Sequence, residues 1–334
     1  MNKFTKIFGA LSLAAFLGAC AQETTEEAPT TEAPTIEEGT PEVPDSPLQV
    51  IATTTIVADL IANIGGSRVE VEYLMGPGID PHYHVASAGD LNRLDSADII
   101  VFHGLNLEER MAEIFENMAS QGRNVISTEE AIAADLRLFE EDYEEYDEAG
   151  EEEEEHYDPH IWFDASLWKL VADHFAEQLS EIDPSSADYF QDNLQTHRDA
   201  LAELHQYIQD RTAEVPEESR VIITAHDAFQ YFGQAYGFEV MGVQGMSTTA
   251  EASTADIAAL ADFIVDRGIS AIFVETSVSS RNIEAVIEAA AARGHEVVIG
   301  GYLYSDALGD AGSGHDTYIG MMRANIATIV DALR

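Results

Sequence analysis

From Leu48 onward the chain alternates short β-branched apolar runs with longer stretches whose apolar residues recur three and four positions apart. Leu48–Thr54, Val69–Leu74, Asp98–Phe102 and Asn124–Ser127 read as strands. Between them, Ile56–Ile64 has helical spacing and stops at Gly65-Gly66, and a third helical segment runs from about Leu107 to Met118. Ser87-Ala88-Gly89-Asp90 resembles a capping box, with Asp in place of the usual Glu, and opens a helix through Leu94. The second half repeats the alternation. Arg220–Thr224, Glu239–Val243, Ala271–Glu275 and Glu296–Ile299 read as strands, and Ala228–Tyr236, Thr254–Arg267, Arg281–Arg293 and a last segment from Thr317 as helices. Strands alternating with helices predict βαβ units and a mainly parallel sheet in each half.

The join between the halves has a different pattern. Ala165–Ile182 reads as one helix, and Asp183-Pro184 then opens another, with Asp at the N-cap and Pro at the first helical position. Ala187, Phe190, Leu194, His197, Leu201, Leu204 and Ile208 form one apolar stripe before Pro216 stops the helix. A helix of roughly 30 residues, about 45 Å long, exceeds what one small domain needs, so it reads as a rigid spine between two α/β lobes. The expected organisation is an N-terminal lobe at 48–182, the spine at 183–215 and a C-terminal lobe at 216–334.

The first 47 residues stand apart. Lys3 and Lys6 precede an apolar stretch, Ile7 to Leu17, that is too short to span a membrane, and Leu17-Gly18-Ala19-Cys20 resembles a lipobox. Residues 1–19 are therefore expected to be an export signal, with Cys20 acylated and anchoring the mature chain to a membrane. Residues 21–46, rich in Thr, Glu and Pro, lack the apolar surface to fold and read as a tether. Cys20 is the only cysteine, so no intrachain disulfide is expected.

Candidate chemistry clusters in four short motifs. Gly76-Pro77-Gly78-Ile79-Asp80-Pro81-His82-Tyr83-His84 places two imidazoles after a strand, and the Asp-Pro-His tripeptide recurs at Asp158-Pro159-His160. Ligands in open α/β sheets bind beyond the carboxyl ends of strands. That rule selects His82, His226 in Thr224-Ala225-His226-Asp227, and Asp306 in Tyr304-Ser305-Asp306-Ala307, while His160 lies at an extended junction before a helix. Two come from each half, so they can meet in a cleft between lobes. Three imidazoles and a carboxylate suit Zn²⁺ and can also hold Mn²⁺. Such ligation needs neutral imidazoles, so affinity should fall as pH drops.

In these four motifs, taken in order, the chain resembles the zinc- and manganese-binding solute-binding proteins of bacterial ABC transporters, the TroA-like group, over essentially all of Leu48 to Arg334. The resemblance implies a surface-anchored, extracytoplasmic, non-enzymatic receptor that captures one Zn²⁺ or Mn²⁺ and delivers it to the permease and ATPase of an importer. It also implies two α/β lobes joined by one long helix, with the metal buried between them on His82, His160, His226 and Asp306. A monomer with limited lobe rotation is expected. A metal-dependent adhesin is the alternative reading, and a zinc hydrolase a more distant one, since no H-E-x-x-H helix or nucleophile elbow appears.

Other residues compete for a place in the site. His84 is two positions from His82, and in an extended segment it points the opposite way. His103 ends a strand where the family usually has a non-ligand. His174, His197 and His205 sit on helices, and His295 and His315 read as surface residues. Asp80, Asp158 and Asp227 adjoin the ligands and either orient imidazoles or cap turns. One departure concerns metal choice: zinc-type members often carry a histidine-rich loop where this chain has Glu140–Glu155, with twelve acidic residues among sixteen. That run reads as a solvated loop, or as a weak cation collector beside the site.

Charge narrows the partners further. Sixteen basic against 62 acidic residues give a net charge of −46, which disfavours nucleic acid and anionic lipid surfaces and favours cations. Lys169 is the only lysine beyond the signal segment, a composition suited to saline surroundings. Self-repulsion of this size should be relieved by screening. The melting temperature is therefore expected to rise as NaCl is added to dilute buffer, and full stability in dilute buffer would count against a saline adaptation.

Overall fold

The structure is a computed structural model, and it describes residues 46–139 and 157–334. Residues 1–45, with Cys20 and the segments read as signal and tether, and the acidic run from 140 to 155 lie outside the described residues.

The N-terminal half is built on a four-stranded parallel sheet. Its strands are β1 (Leu48–Thr54), β2 (Val69–Met75), β3 (Ile99–Phe102) and β4 (Asn124–Ser127), in spatial order β2-β1-β3-β4. The central strand β1 is buried along most of its length, as expected of a parallel strand covered on both faces. Helix α1 (Thr55–Gly65) follows it directly, capped by the Thr54 hydroxyl, which accepts from Val57 N at 3.4 Å. Helix α2 (Ala88–Ser96) begins with the expected Ser87–Asp90 capping box. Helix α3 (Ala112–Ser120) starts later than the apolar spacing predicts, because a 3₁₀ turn at Glu109–Met111 precedes it.

Helices α4 (Ala165–Ile182) and α5 (Ala187–Thr212) follow. Asp183 and Pro184 open a 3₁₀ turn rather than α5 itself, so the long helix is 26 residues, about 39 Å. Asp183 does not cap through its side chain; its carboxylate accepts Arg68 at 2.9 Å instead. The predicted stripe is buried from Phe190 to Ile208, and α5 packs on α1 and α4 from one half and on α9 (Tyr318–Leu333) from the other. Fully burying side chains such as Phe190, Leu201, Leu204 and Ile208 contributes about 1.5–3 kcal/mol each. One core cluster runs from Ile56 through Trp168 and Leu204 to Tyr318 and Ile326, so the halves share apolar packing along the helix.

The C-terminal half holds two parallel pairs, β5 (Val221–His226) with β6 (Glu239–Gln244), and β7 (Ala271–Glu275) with β8 (Val298–Leu303). β5 also runs beside β7. Helices α6 (Gln230–Tyr236), α7 (Thr254–Arg267) and α8 (Arg281–Ala292) connect the strands. β8 lies further along the chain than its hydrophobicity predicts, since Gly300 and Gly301 dilute the apolar pattern and a register shift at Ile272/Phe273 accommodates them.

Beyond β3 the chain makes a tight loop in which Gly104, Leu105 and Asn106 all have positive φ (81°, 49° and 64°). Two buried or half-buried carboxylates hold it. Glu108 accepts the backbone N–H groups of His103 and Gly104 and the Thr53 hydroxyl, and Glu129 accepts Leu105 N at 2.6 Å. Burial outweighs these donors and lifts the Glu108 carboxyl from its ordinary 4.5 to about 7. A carboxyl raised in the folded state binds its proton more tightly there than in the unfolded chain. Its contribution is therefore fully present below about pH 4.5 and is lost as pH rises to about 7, on the order of 3 kcal/mol. Urea titrations of the native chain and of Glu108→Gln across that window should differ in slope, the native chain losing more stability, or gaining less, than the variant as pH rises; identical slopes would contradict this assignment.

Candidate metal centre

Four side chains converge between the halves. His82 sits on the loop after β2, His160 before the 3₁₀ turn Ile161–Phe163, His226 at the end of β5 and Asp306 after β8. One donor atom from each lies within 4.8 Å of all the others, and no other such cluster occurs among the described residues. All four are buried, none more than 2 % exposed. The Nε2 atoms of His160 and His226 are 3.3 Å apart, and Asp306 Oδ1 lies 3.5 and 3.6 Å from them. The His82 ring stands 5.6 and 5.8 Å from those two rings, centroid to centroid.

The surroundings aim these donors inward. His160 Nδ1 donates to Asp158 Oδ1 at 2.7 Å, and the same oxygen accepts His160 N at 2.9 Å, a local bond made possible by the Asp-Pro-His turn. Glu275, the last residue of β7, accepts His226 N through Oε1 at 2.9 Å and places Oε2 2.6 Å from His226 Nδ1. With both Nδ1 atoms engaged, each Nε2 faces the centre, as a carboxylate–histidine–metal arrangement requires. Ser277 donates its hydroxyl to Asp306 Oδ2 at 3.0 Å, which leaves Oδ1 directed at the cluster and without a protein hydrogen bond. Trp162 closes one wall: its Nε1 donates to Ser305 O at 3.1 Å, and its own carbonyl accepts the Tyr318 hydroxyl at 2.6 Å. Both bonds run between the halves.

The electrostatics follow from burying carboxylates with imidazoles. Burial alone lowers a histidine, but Asp158 and Asp306 together lift His160 to about 9. His226 is likewise opposed by burial and raised well above its usual range by Glu275 and Asp306. Burial pushes Asp306 up, yet the two imidazoles hold it well below the normal carboxylate range. For His82, burial, helped by the two neighbouring imidazoles, outweighs the pull of Asp306 and takes it down to about 3. The cluster thus favours positive charge at its centre, and a divalent cation meets that demand without protons.

Each neighbouring candidate now has a position. His84 does face away, lying 3.6 Å from Asp90, but the reason is a turn closed by His84 N to Pro81 O at 3.3 Å, since the segment is not extended there. His103 is buried against Trp162 and its Nε2 lies 2.9 Å from the Thr54 hydroxyl, outside the cluster. His197 is buried in the stripe of α5, His174 pairs with Glu130, and His205 contacts the Tyr236 hydroxyl. His295 and His315 are half-buried rather than surface residues, bonded to Ile269 O and the Tyr304 hydroxyl.

The three aspartates differ from one another. Asp158 touches its imidazole, while Asp80 binds the His82 backbone N–H and the Thr248 hydroxyl, and Asp227 accepts Gln230. The carboxylate beside His226 is Glu275, which sequence reasoning missed. It lies 49 positions from its histidine, but it is the polar residue ending the apolar run Ala271–Val274, so the strand-end rule that selected His226 and Asp306 also points to it.

Comparison with known proteins adds independent support. Residues 50–332 match the family described as zinc-uptake complex component A, periplasmic (ZnuA). The chain is 43% identical over 290 residues to the manganese-binding lipoprotein MntA of Bacillus subtilis, covering 87% of this chain and 91% of that protein. It is also 43% identical over 284 residues to the zinc-binding protein TroA of Treponema pallidum, covering 85% and 88%. The solved structure of the periplasmic zinc-binding protein TroA from Treponema pallidum superposes with a TM-score of 0.80 at 42% identity, over 86% of this chain and 99% of that one. With motif order, fold and donor cluster in agreement, the chain belongs to the ZnuA/TroA family of metal-binding solute-binding proteins of ABC transporters.

Proposed function

We propose that this chain captures Zn²⁺ or Mn²⁺ outside the cytoplasm, on His82, His160, His226 and Asp306, and delivers it to the permease of an ABC importer. The observation that carries the reading is the closed set of four donors within 4.8 Å of one another, buried between the halves and backed by Asp158 and Glu275. Similarity to a manganese-binding lipoprotein and to a zinc-binding protein at equal identity supports a site that accepts either metal. The protein is a receptor whose cargo is the ion, and its family is one of solute-binding proteins rather than enzymes.

The finer organisation belongs to the same proposal. Residues 1–19 direct export, a lipidated Cys20 and the tether to residue 47 hold the chain at the membrane, and lobes at 48–182 and 216–334 flank the spine at 183–215. The ATPase that drives uptake acts through the permease, and the receptor works as a monomer. The relatives described as lipoproteins support the anchor.

The decisive experiment is titration of metal-free protein with Zn²⁺ and with Mn²⁺. One ion per chain is expected, with Zn²⁺ held more tightly in line with intrinsic affinities. His226→Ala, which removes a donor and leaves Glu275 buried beside an empty space, should weaken Zn²⁺ by at least about 100-fold; near-native affinity and stoichiometry would sink the four-donor site. Glu275→Gln keeps the shape but removes the charge behind His226, and should weaken Zn²⁺ by about 10- to 100-fold by calorimetric competition. Affinity should also fall as the pH is lowered, because protons compete for the imidazole lone pairs; a flat pH profile would argue against histidine ligation.

A further inference from the structure

Three of the four converging side chains are braced through their own functional groups: His160 by Asp158, His226 by Glu275 and Asp306 by Ser277. His82 is the exception. Neither nitrogen of its ring has a protein hydrogen bond, although the residue is 2 % exposed. What places it is its main chain. Asp80 Oδ1 accepts His82 N at 2.9 Å, and the flanking turns close through Ile79 N to Gly76 O at 3.2 Å and His84 N to Pro81 O at 3.3 Å.

The second oxygen of Asp80 is committed across the cleft. Oδ2 accepts the hydroxyl of Thr248 at 2.7 Å, on the loop that follows β6 in the C-terminal half. Thr248 is 3 % exposed, and Gln244 Nε2 steadies its loop by donating to Ala250 O at 2.7 Å. The Tyr83 hydroxyl adds a weaker bond in the same place, to Thr249 O at 3.4 Å. One carboxylate therefore holds the backbone of His82 with one oxygen and the opposite half with the other.

We propose that Thr248 and Asp80 form a positioning clasp that holds His82 in the metal centre and sets the rate at which the ion is released. The inference rests on the assignment of His82, His160, His226 and Asp306 as metal donors. When the β6 loop separates from the β2 loop, the Thr248–Asp80 bond is lost and His82 loses its support, whereas the other three donors keep their braces. His82 is thus the first donor to leave and the last to arrive. Threonine at 248 is needed for its hydroxyl, not for its bulk.

The test uses the full chain loaded with Zn²⁺ and measures release to an excess of chelator. Thr248→Val keeps the shape without the donor and should release Zn²⁺ about tenfold faster, the scale of one lost hydrogen bond to a charged group. Thr248→Ser should stay within about twofold of the native rate. Asp80→Ala combined with Thr248→Val should be no faster than Asp80→Ala alone, since both changes break one device. Recovery of the native rate in Thr248→Ser, which restores the hydroxyl alone, is the readout that separates the clasp from a loss of packing. A native release rate in Thr248→Val, equal acceleration in Thr248→Ser, or additive effects would each overturn the clasp. His82→Ala is the reference for the donor set: if it binds and releases Zn²⁺ as the native chain does, the underlying assignment fails and takes the clasp with it. A normal defect in His82→Ala with no effect of Thr248→Val sinks the clasp alone.

Discussion

The structure depends on keeping carboxylates in a dry interior. Asp158, Glu275 and Asp306 are at most 4 % exposed, and each lies against an imidazole rather than against arginine or lysine. An isolated buried carboxylate is costly, and a fixed cation would neutralise the centre permanently. Histidines meet the need conditionally, holding positive charge when protonated and offering lone pairs when not. Sheet ends deliver His82, His226 and Asp306, and Trp162, tied to Ser305 and Tyr318, packs against His160. The shared core along α5 keeps the two halves in register while this is done.

Much of this is legible in the amino-acid sequence. Parallel strands buried on both faces leave continuous apolar runs, so β1, β3, β5 and β7 stand out, and the stripe on α5 repeats long enough to mark a bridging helix. His82, His226 and Asp306 are accessible because parallel topology confines binding residues to strand ends, and His160 because the Asp-Pro-His tripeptide repeats. β8 lies later than the apolar pattern predicts because two glycines weaken its hydrophobic signal, and 3₁₀ turns whose side chains fit either helix blur the starts of α3 and α5.

The residues behind the donors were legible only where the contact is local. Asp158 reaches His160 within two positions, through a turn that its own sequence dictates. Asp80, at the same spacing, bonds the His82 backbone and Thr248 rather than the ring, and Asp227, next to His226, accepts Gln230, since a neighbouring carboxylate can bond a backbone or a side chain equally well. Glu275 reaches His226 because β5 and β7 lie side by side, a pairing that no local pattern encodes. Strand order therefore governs which acid tunes which imidazole.

The spread of the donors along the chain has a consequence for biogenesis. His82 and Asp306 come from opposite halves, and the donor set is complete only when both halves are in place. No nascent fragment ending before β8 contains the complete set, and an unfolded chain presents only scattered, competing imidazoles and carboxylates. Metal binding is thus a property of the whole folded body, and neither half carries it alone.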